Sequence, residues 1–171
     1  MSMLRWIGAG IILVASIGYS FMLTRSYAKE EAALQELLEI IAFMTAELHC
    51  RLTTLPELCG QAATVGSGTV SRAFRGIQRQ LDTNAYPDAQ QCVQVALART
   101  EGLPATAGRN IMLLGKSMGR FDLDGQLAGL EMTRQMCIRD LQGLQNSKKE
   151  NLRSYQALGF CAGMALVILL I

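Results

Sequence analysis

The chain changes direction within residues 114–126, which read LGKSMGRFDLDGQ. Gly119 stands where a left-handed residue commonly ends a helix. Asp122 follows as a natural N-cap, and Asp124 places a second acid in the first turn of the next helix. The stretch therefore predicts a tight corner between one helix and a very long last helix, which meets no helix breaker on the way to Ile171.

Gly115, Lys116 and Ser117 in this corner mimic the end of a phosphate-binding loop. The complete loop pattern requires a glycine five residues before Gly115, and that position holds Asn110. It also requires a preceding strand, whereas the residues before Gly115 have the period of a helix. We therefore reject nucleotide binding here, and the sequence predicts no bound cofactor.

Two uncharged segments bracket the rest of the chain. Residues 6–23 and 154–171 are each 18 residues long and hold no charged side chain. As helices they would measure about 27 Å each, close to the ~30 Å hydrocarbon core of a bilayer. We expect transmembrane helices at 4–24 and 154–171, around a domain of residues 25–153. A cleavable signal peptide is the alternative for the first segment, because Ser-Tyr-Ala precedes Lys29 in the manner of a cleavage site.

The flanking basic residues predict the side of the membrane on which the domain lies. Arg25 and Lys29 follow the first segment, and Lys148, Lys149 and Arg153 precede the second. A single arginine, near the N-terminus, lies outside the two segments. Because lysine and arginine accumulate on the cytoplasmic side, the domain is expected in the cytoplasm of a cell whose membrane holds both ends of the chain.

Apolar residues between the segments recur with the period of helices and never with the alternation of strands. The first helix carries a seam with alternating three- and four-residue steps: Leu34, Leu37, Ile41, Met44 and Leu48. Thr54 and Glu57 have the spacing of a capping box at the start of the second helix. The third helix is expected from about 69 to 81, and the fourth from about 88 to 101.

The last helix repeats the three- and four-residue spacing through Leu127, Leu130, Cys137, Leu141 and Leu144. Arg134 interrupts this seam, and further apolar residues are expected to widen the same face: Met132, Met136 and Ile138. The first helix enters the cytoplasm and the last one leaves it, so the two must run antiparallel. The predicted class is all-α, an antiparallel helical bundle with an N-terminal and a C-terminal transmembrane helix.

Composition and charge exclude several classes of function. A net charge of +2 gives no reason to expect nucleic acid as a partner. The five cysteines are odd in number and form no C-x-x-C pair, so neither a disulfide framework nor a metal site is predicted. His49 and Cys50 are adjacent, but no carboxylate is spaced to orient the histidine. We therefore expect the protein not to be an enzyme.

Three arginines of the third helix, Arg72, Arg75 and Arg79, share one face. They form either a solvated face or a contact for acidic lipid headgroups or an acidic partner surface. In the last segment, Gly159 and Gly163 leave a thin surface that permits close packing of transmembrane helices.

The corner also carries a family resemblance. Its residues follow the pattern Leu-Gly-x-x-(Leu/Met)-Gly-x-x-Asp-x-x-x-Gln at Leu114, Gly115, Met118, Gly119, Asp122 and Gln126. A Leu-Pro-Glu-Leu turn at 55–58 and the two terminal segments complete the match. The chain resembles the stage III sporulation protein AB family over its whole length.

The resemblance implies a non-enzymatic platform in the secretion-like channel that joins mother cell and forespore during endospore formation. The family's soluble domain is similar to the cytoplasmic domain of the type II secretion inner-membrane platform protein. By that analogy the partners are a cytoplasmic secretion-type ATPase, channel components, membrane lipid and further copies of the chain in a homo-oligomer. The protein would lie in the mother-cell membrane that faces the forespore.

Two further interpretations concern the corner and the class of function. The corner would lie at the tip of the domain, far from the membrane, where Arg120, Asp122 and Gln126 form part of a partner surface or merely cap and pack the turn. A membrane-tethered helical adaptor unrelated to sporulation would share every physical feature named so far. A membrane enzyme would need clustered polar groups near the spans, and the sequence has only isolated ones.

Overall fold

The computed structural model describes the backbone of residues 2–50, 53–83, 88–118 and 123–170. Side chains are described in the ranges 25–50, 53–83, 88–118 and 123–148. The described backbone holds six helices: α1 (Ser2–Cys50), α2 (Leu55–Val65), α3 (Thr69–Asp82), α4 (Ala89–Ala98), α5 (Ala105–Ser117) and α6 (Leu123–Leu170). No strand occurs in these four ranges, and the predicted all-α class is confirmed.

Two helices are far longer than the rest. α1 has 49 residues and α6 has 48, so each is about 72 Å long. Neither helix breaks between the bundle and the terminal segment that it enters. The side chains of both expected spans, 4–24 and 154–171, lie outside the ranges in which side chains are described. Within those ranges, no helix has an apolar stretch of the length needed to cross a bilayer.

The core of the bundle forms around one face of α1. All five predicted seam residues are buried: Leu34, Leu37, Ile41, Met44 and Leu48. Ile40 and Ala33 widen this face, and Phe74 and Ile77 of α3 pack into the same core. Complete burial of a leucine or isoleucine side chain stabilises a fold by roughly 1.5–3 kcal/mol. The three- and four-residue spacing therefore identifies the face of α1 that is buried in the core.

The predicted face of α6 is partly wrong. Arg134 is exposed and pairs with Glu131 through a 2.7 Å contact between Nε and Oε2. Thr133 takes the buried position, and its hydroxyl donates to the Gly129 carbonyl oxygen at 2.8 Å. A threonine is buried here without a lost hydrogen bond because its own helix satisfies the hydroxyl. Met132 is 56% exposed, so it does not widen the core face as expected.

The capping box expected at the start of α2 is absent. Thr54 precedes the helix, but its side chain accepts no hydrogen bond from the first turn. The Thr54 carbonyl oxygen accepts from the Leu58 amide at 2.9 Å instead. Glu57 accepts from Nε2 of Gln61, four residues further along the exposed face. The helix nevertheless begins at the predicted place, with proline in its first turn.

Glu36 of α1 caps α3 from a distance. Its carboxylate accepts from the backbone amides of Gly68 at 2.7 Å, Val70 at 3.2 Å and Ser71 at 3.2 Å. A β-carbon on Gly66 or Gly68 would collide with this carboxylate. Both glycines have extended backbone, so space for the carboxylate, rather than a positive φ angle, explains them. The Glu36 carboxylate lies at the positive end of the α3 dipole, and this interaction stabilises the start of the helix.

The capping contact also fixes the direction of the short helices. Four residues separate the end of α1 from the start of α2, and α2 ends beside Glu36, so α2 runs back along α1. α3 then returns past α2, where Gln78 lies beside Gly60.

A turn at Gly102, whose φ angle is positive at 75°, connects α4 to α5. α5 starts near Glu30, whose carboxylate accepts from the hydroxyl of Thr106 at 3.0 Å.

Candidate functional site

The described residues of the family motif are buried or half-buried at the corner. Leu114 and Met118 are buried in the core, and Gly115 is buried against Val93 of α4. Gln126 is half-buried in the first turns of α6. Gly119, Arg120 and Asp122 lie outside the described residues, and the predicted packing at Gly159 and Gly163 falls where the structure describes the backbone alone. The described motif residues thus contribute to the packing of the bundle.

Gly115 marks a close approach of α5 and α4. A β-carbon at this position would lie 2.9 Å from Cγ2 of Val93, whose branched side chain has little freedom to move away. Gly143 of α6, by contrast, faces open space. We expect Gly115→Ala to lower the free energy of unfolding by about 1 kcal/mol, although alanine favours a helix.

Gly143→Ala is the matched control, because it adds the same methyl group without a neighbour. It should raise the free energy of unfolding by about 0.5–1 kcal/mol. Urea unfolding of the full chain in detergent micelles, followed by circular dichroism, measures both effects. Stabilisation by both substitutions would contradict a close contact at Gly115.

A polar cluster joins α5 to α6 on the other side of the bundle. Asn110 is buried and donates from Nδ2 to Oδ2 of Asp140 at 2.9 Å. Arg109 reaches the same oxygen at 3.3 Å. Burial, with help from the nearby Asp140 charge, raises the pKa of the Cys137 thiol to about 12. The cluster is therefore a structural contact, since a nucleophilic cysteine requires a lowered pKa.

The first helix ends in the only His–Cys pair of the sequence, His49 and Cys50, and both side chains are exposed. Cys59, Cys92 and Cys137 are buried and form no disulfide, whereas Cys50 is exposed. Within the described ranges, no three His, Cys, Asp or Glu side chains lie close enough together to hold a metal ion.

The three arginines of α3 line a groove of about 500 Å³ between α3 and α4. Gly76 and Ala96 face each other across the two helices, and a β-carbon on Gly76 would lie 3.5 Å from Cβ of Ala96. Such small residues allow the helices to approach closely at this point. Arg72, Arg75 and Arg79 are all exposed, at spacings of three and four residues along α3.

Arg99, directly after α4, adds a fourth guanidinium to this groove, which we call the arginine groove. The sole carboxylate among its described lining residues is that of Glu101, and no described carboxylate forms an ion pair with any of the four arginines. The sequence pattern missed Arg99 because this residue follows a different helix, 20 residues after Arg79. The sequence signal that could have drawn attention to Arg99 is its position at the end of a predicted helix, shortly before the turn at Gly102.

Comparison with known proteins identifies the family. The family profile described as Stage III sporulation protein AB matches residues 5–171. The chain belongs to the stage III sporulation protein AB family. Membership places it among sporulation proteins, and the alternative of an adaptor unrelated to sporulation is thereby wrong.

One solved structure supports the fold of this stage III sporulation protein AB family member. A structure of Stage III sporulation protein AB (SpoIIIAB) matches with a TM-score of 0.62 and 17% sequence identity. The match covers 71% of this chain and 98% of the other. No curated protein sequence matches the chain.

Proposed function

We propose that the chain is a non-enzymatic membrane scaffold of the sporulation channel between mother cell and forespore. Residues 4–24 and 154–171 cross the mother-cell membrane, and the bundle projects into the cytoplasm. There it couples a secretion-type ATPase to channel components in the membrane. The observation that carries the proposal is the continuity of α1 and α6, which pass from the packed bundle into the uncharged terminal segments without a break.

Such continuity suits a scaffold because it removes the flexible linker that would absorb force. The contact between the two helices lies close to the expected membrane boundary. Glu31 of α1 accepts from Gln145 at 3.4 Å and pairs with Lys148 at 3.6 Å. Glu31 follows the first expected span closely and Lys148 closely precedes the second, so this contact supports an antiparallel pair that enters one membrane.

The corner at 119–122 is proposed as the ATPase-facing tip. Within α5, Thr106 lies beside Glu30, and Ser117 at the end of the helix is about 17 Å from Thr106 along the axis. Arg109 and Asn110 meet Asp140, whereas Ser117 meets Gly129, so α5 and α6 run antiparallel and meet at the corner. This geometry supports a corner at the end of the bundle that points away from the membrane.

One experiment in sporulating cells tests both parts of the proposal. Membranes are washed with alkaline carbonate, solubilised in detergent, and the tagged chain is captured and probed for the ATPase of the same channel. We expect the chain to resist the wash and to capture the ATPase. Asp122→Ala and Arg120→Glu should resist the wash equally but lose most of the captured ATPase.

The two parts of this test fail separately. Release of the native chain by carbonate would contradict the membrane spans, since only peripheral proteins leave under that treatment. Undiminished capture by both tip variants, with unchanged helix content, would contradict the tip and leave the spans standing.

A further inference from the structure

We propose that the arginine groove between α3 and α4 binds an acidic segment of a partner protein. The four arginines and one glutamate in the lining give the groove a surplus of positive charge, whereas the whole chain carries only +2. A concave surface of one sign concentrates the electrostatic field and attracts groups of opposite charge. Guanidinium groups bind carboxylates through paired hydrogen bonds, which suits glutamate and aspartate side chains.

The length of the cluster favours a chain of carboxylates over a single small anion. Arg72 and Arg79 are seven residues apart on one helix face, a rise of about 10 Å. Three residues of an extended peptide span about the same distance. One phosphate is too small to contact all of these guanidinium groups together, whereas consecutive acidic side chains of a peptide reach them in turn.

The position of the groove favours a protein over a lipid headgroup, and this step rests on the proposed membrane spans. Glu36 lies 11 residues beyond Arg25, about 16 Å along α1, and it caps the start of α3. From there α3 runs away from the membrane, since Gln78 lies beside the middle of α2. The arginines are therefore about two screening lengths, ~8 Å each, from the headgroups.

The test measures binding of a fluorescein-labelled hexaglutamate peptide to the full chain in neutral detergent micelles at low salt. We expect Arg75→Gln/Arg79→Gln to weaken binding about tenfold, because two charge-assisted contacts disappear. Arg99→Gln, on the other wall, should weaken it as well. Lys116→Gln/Arg139→Gln is the matched control: both side chains are exposed elsewhere, the charge loss is identical, and binding should change by less than about twofold.

Several outcomes would overturn the proposal. These are failure of the native chain to bind hexaglutamate, equal weakening by the control pair, and equal binding of a hexaglutamine peptide. A further arm places the chain in nanodiscs of phosphatidylglycerol or phosphatidylcholine. Displacement of the peptide by phosphatidylglycerol alone would assign the groove to lipid and overturn the protein partner; equal binding in both nanodiscs supports it.

The substituted arginines are exposed, so the variants should keep native helix content, and circular dichroism verifies this before binding is compared. The outcome is distinguishable from failure of the proposed function. Loss of membrane attachment leaves peptide binding in micelles unaffected, and loss of peptide binding leaves the carbonate wash unaffected.

Discussion

Glu36→Ala is expected to lower the free energy of unfolding by about 3 kcal/mol. The substitution removes the acceptor of three backbone hydrogen bonds at the start of α3. Those amides have no partner within their own helix, because the first turn of any helix lacks preceding carbonyl groups. It also removes a negative charge from the positive end of the helix dipole. Urea unfolding of the full chain in detergent micelles measures the loss.

Glu39→Ala is the matched control for this substitution. Glu39 lies on the same helix three residues later, is exposed, and should change the free energy of unfolding by less than about 0.5 kcal/mol. Gly68→Ala adds a second check, since its methyl group would collide with the Glu36 carboxylate. In a double-mutant cycle, Gly68→Ala should lower the free energy of unfolding by less in the Glu36→Ala variant than in the native chain. Equal losses at Glu36 and Glu39 would refute the cap.

A second large effect is expected at alkaline pH. Burial, with a smaller contribution from the charge of Asp82, raises the pKa of Cys59 from 9.0 to about 12, and burial raises that of Cys137 to about 12. In the unfolded chain both thiols ionise near pH 9, whereas in the fold they keep their protons up to about pH 12. The fold is therefore favoured below pH 9, and this advantage is lost as the pH rises through the window from 9 to 12.

A shift of one pKa unit corresponds to about 1.36 kcal/mol. The free energy of unfolding should therefore fall by on the order of 2 kcal/mol for each thiol between about pH 9 and pH 11. Urea unfolding of the full chain at several pH values measures the slope. Cys59→Ala/Cys137→Ala should flatten it, whereas Cys50→Ala, at an exposed thiol, should leave it unchanged. A slope that is identical in all three chains would show that the buried thiols do not account for it.

The sequence predicts the parts of the fold that depend on local periodicity. The buried seam of α1 follows from spacing alone, because residues three and four apart lie on one helix face. The boundaries of α2, α3 and α4 follow within a few residues from proline, glycine and polar punctuation. Asp88 caps α4 by accepting from the Gln90 amide at 3.2 Å, in keeping with the predicted start of that helix.

The contacts that the sequence missed join residues far apart along the chain. Glu36 and Gly68 are separated by 32 residues, and no local pattern marks Glu36 as a cap. Gly66 and Gly68 are ordinary turn residues by sequence, whereas in the structure they leave space for the Glu36 carboxylate. Arg99 likewise joins the arginine groove only through the packing of α4 on α3. At the α6 seam, a threonine bonded to its own helix replaced an arginine that spacing alone had put there.

The unbroken course of α1 has a consequence for the rotational phase of its two ends. One residue inserted next to Arg25 would turn everything before it by about 100° relative to the bundle, since 3.6 residues complete a turn. Seven inserted residues would restore the phase to within about 20° while moving that end outward by about 10 Å. The continuous helix therefore determines two properties of the N-terminal segment: its rotation about the helix axis and its distance from the bundle.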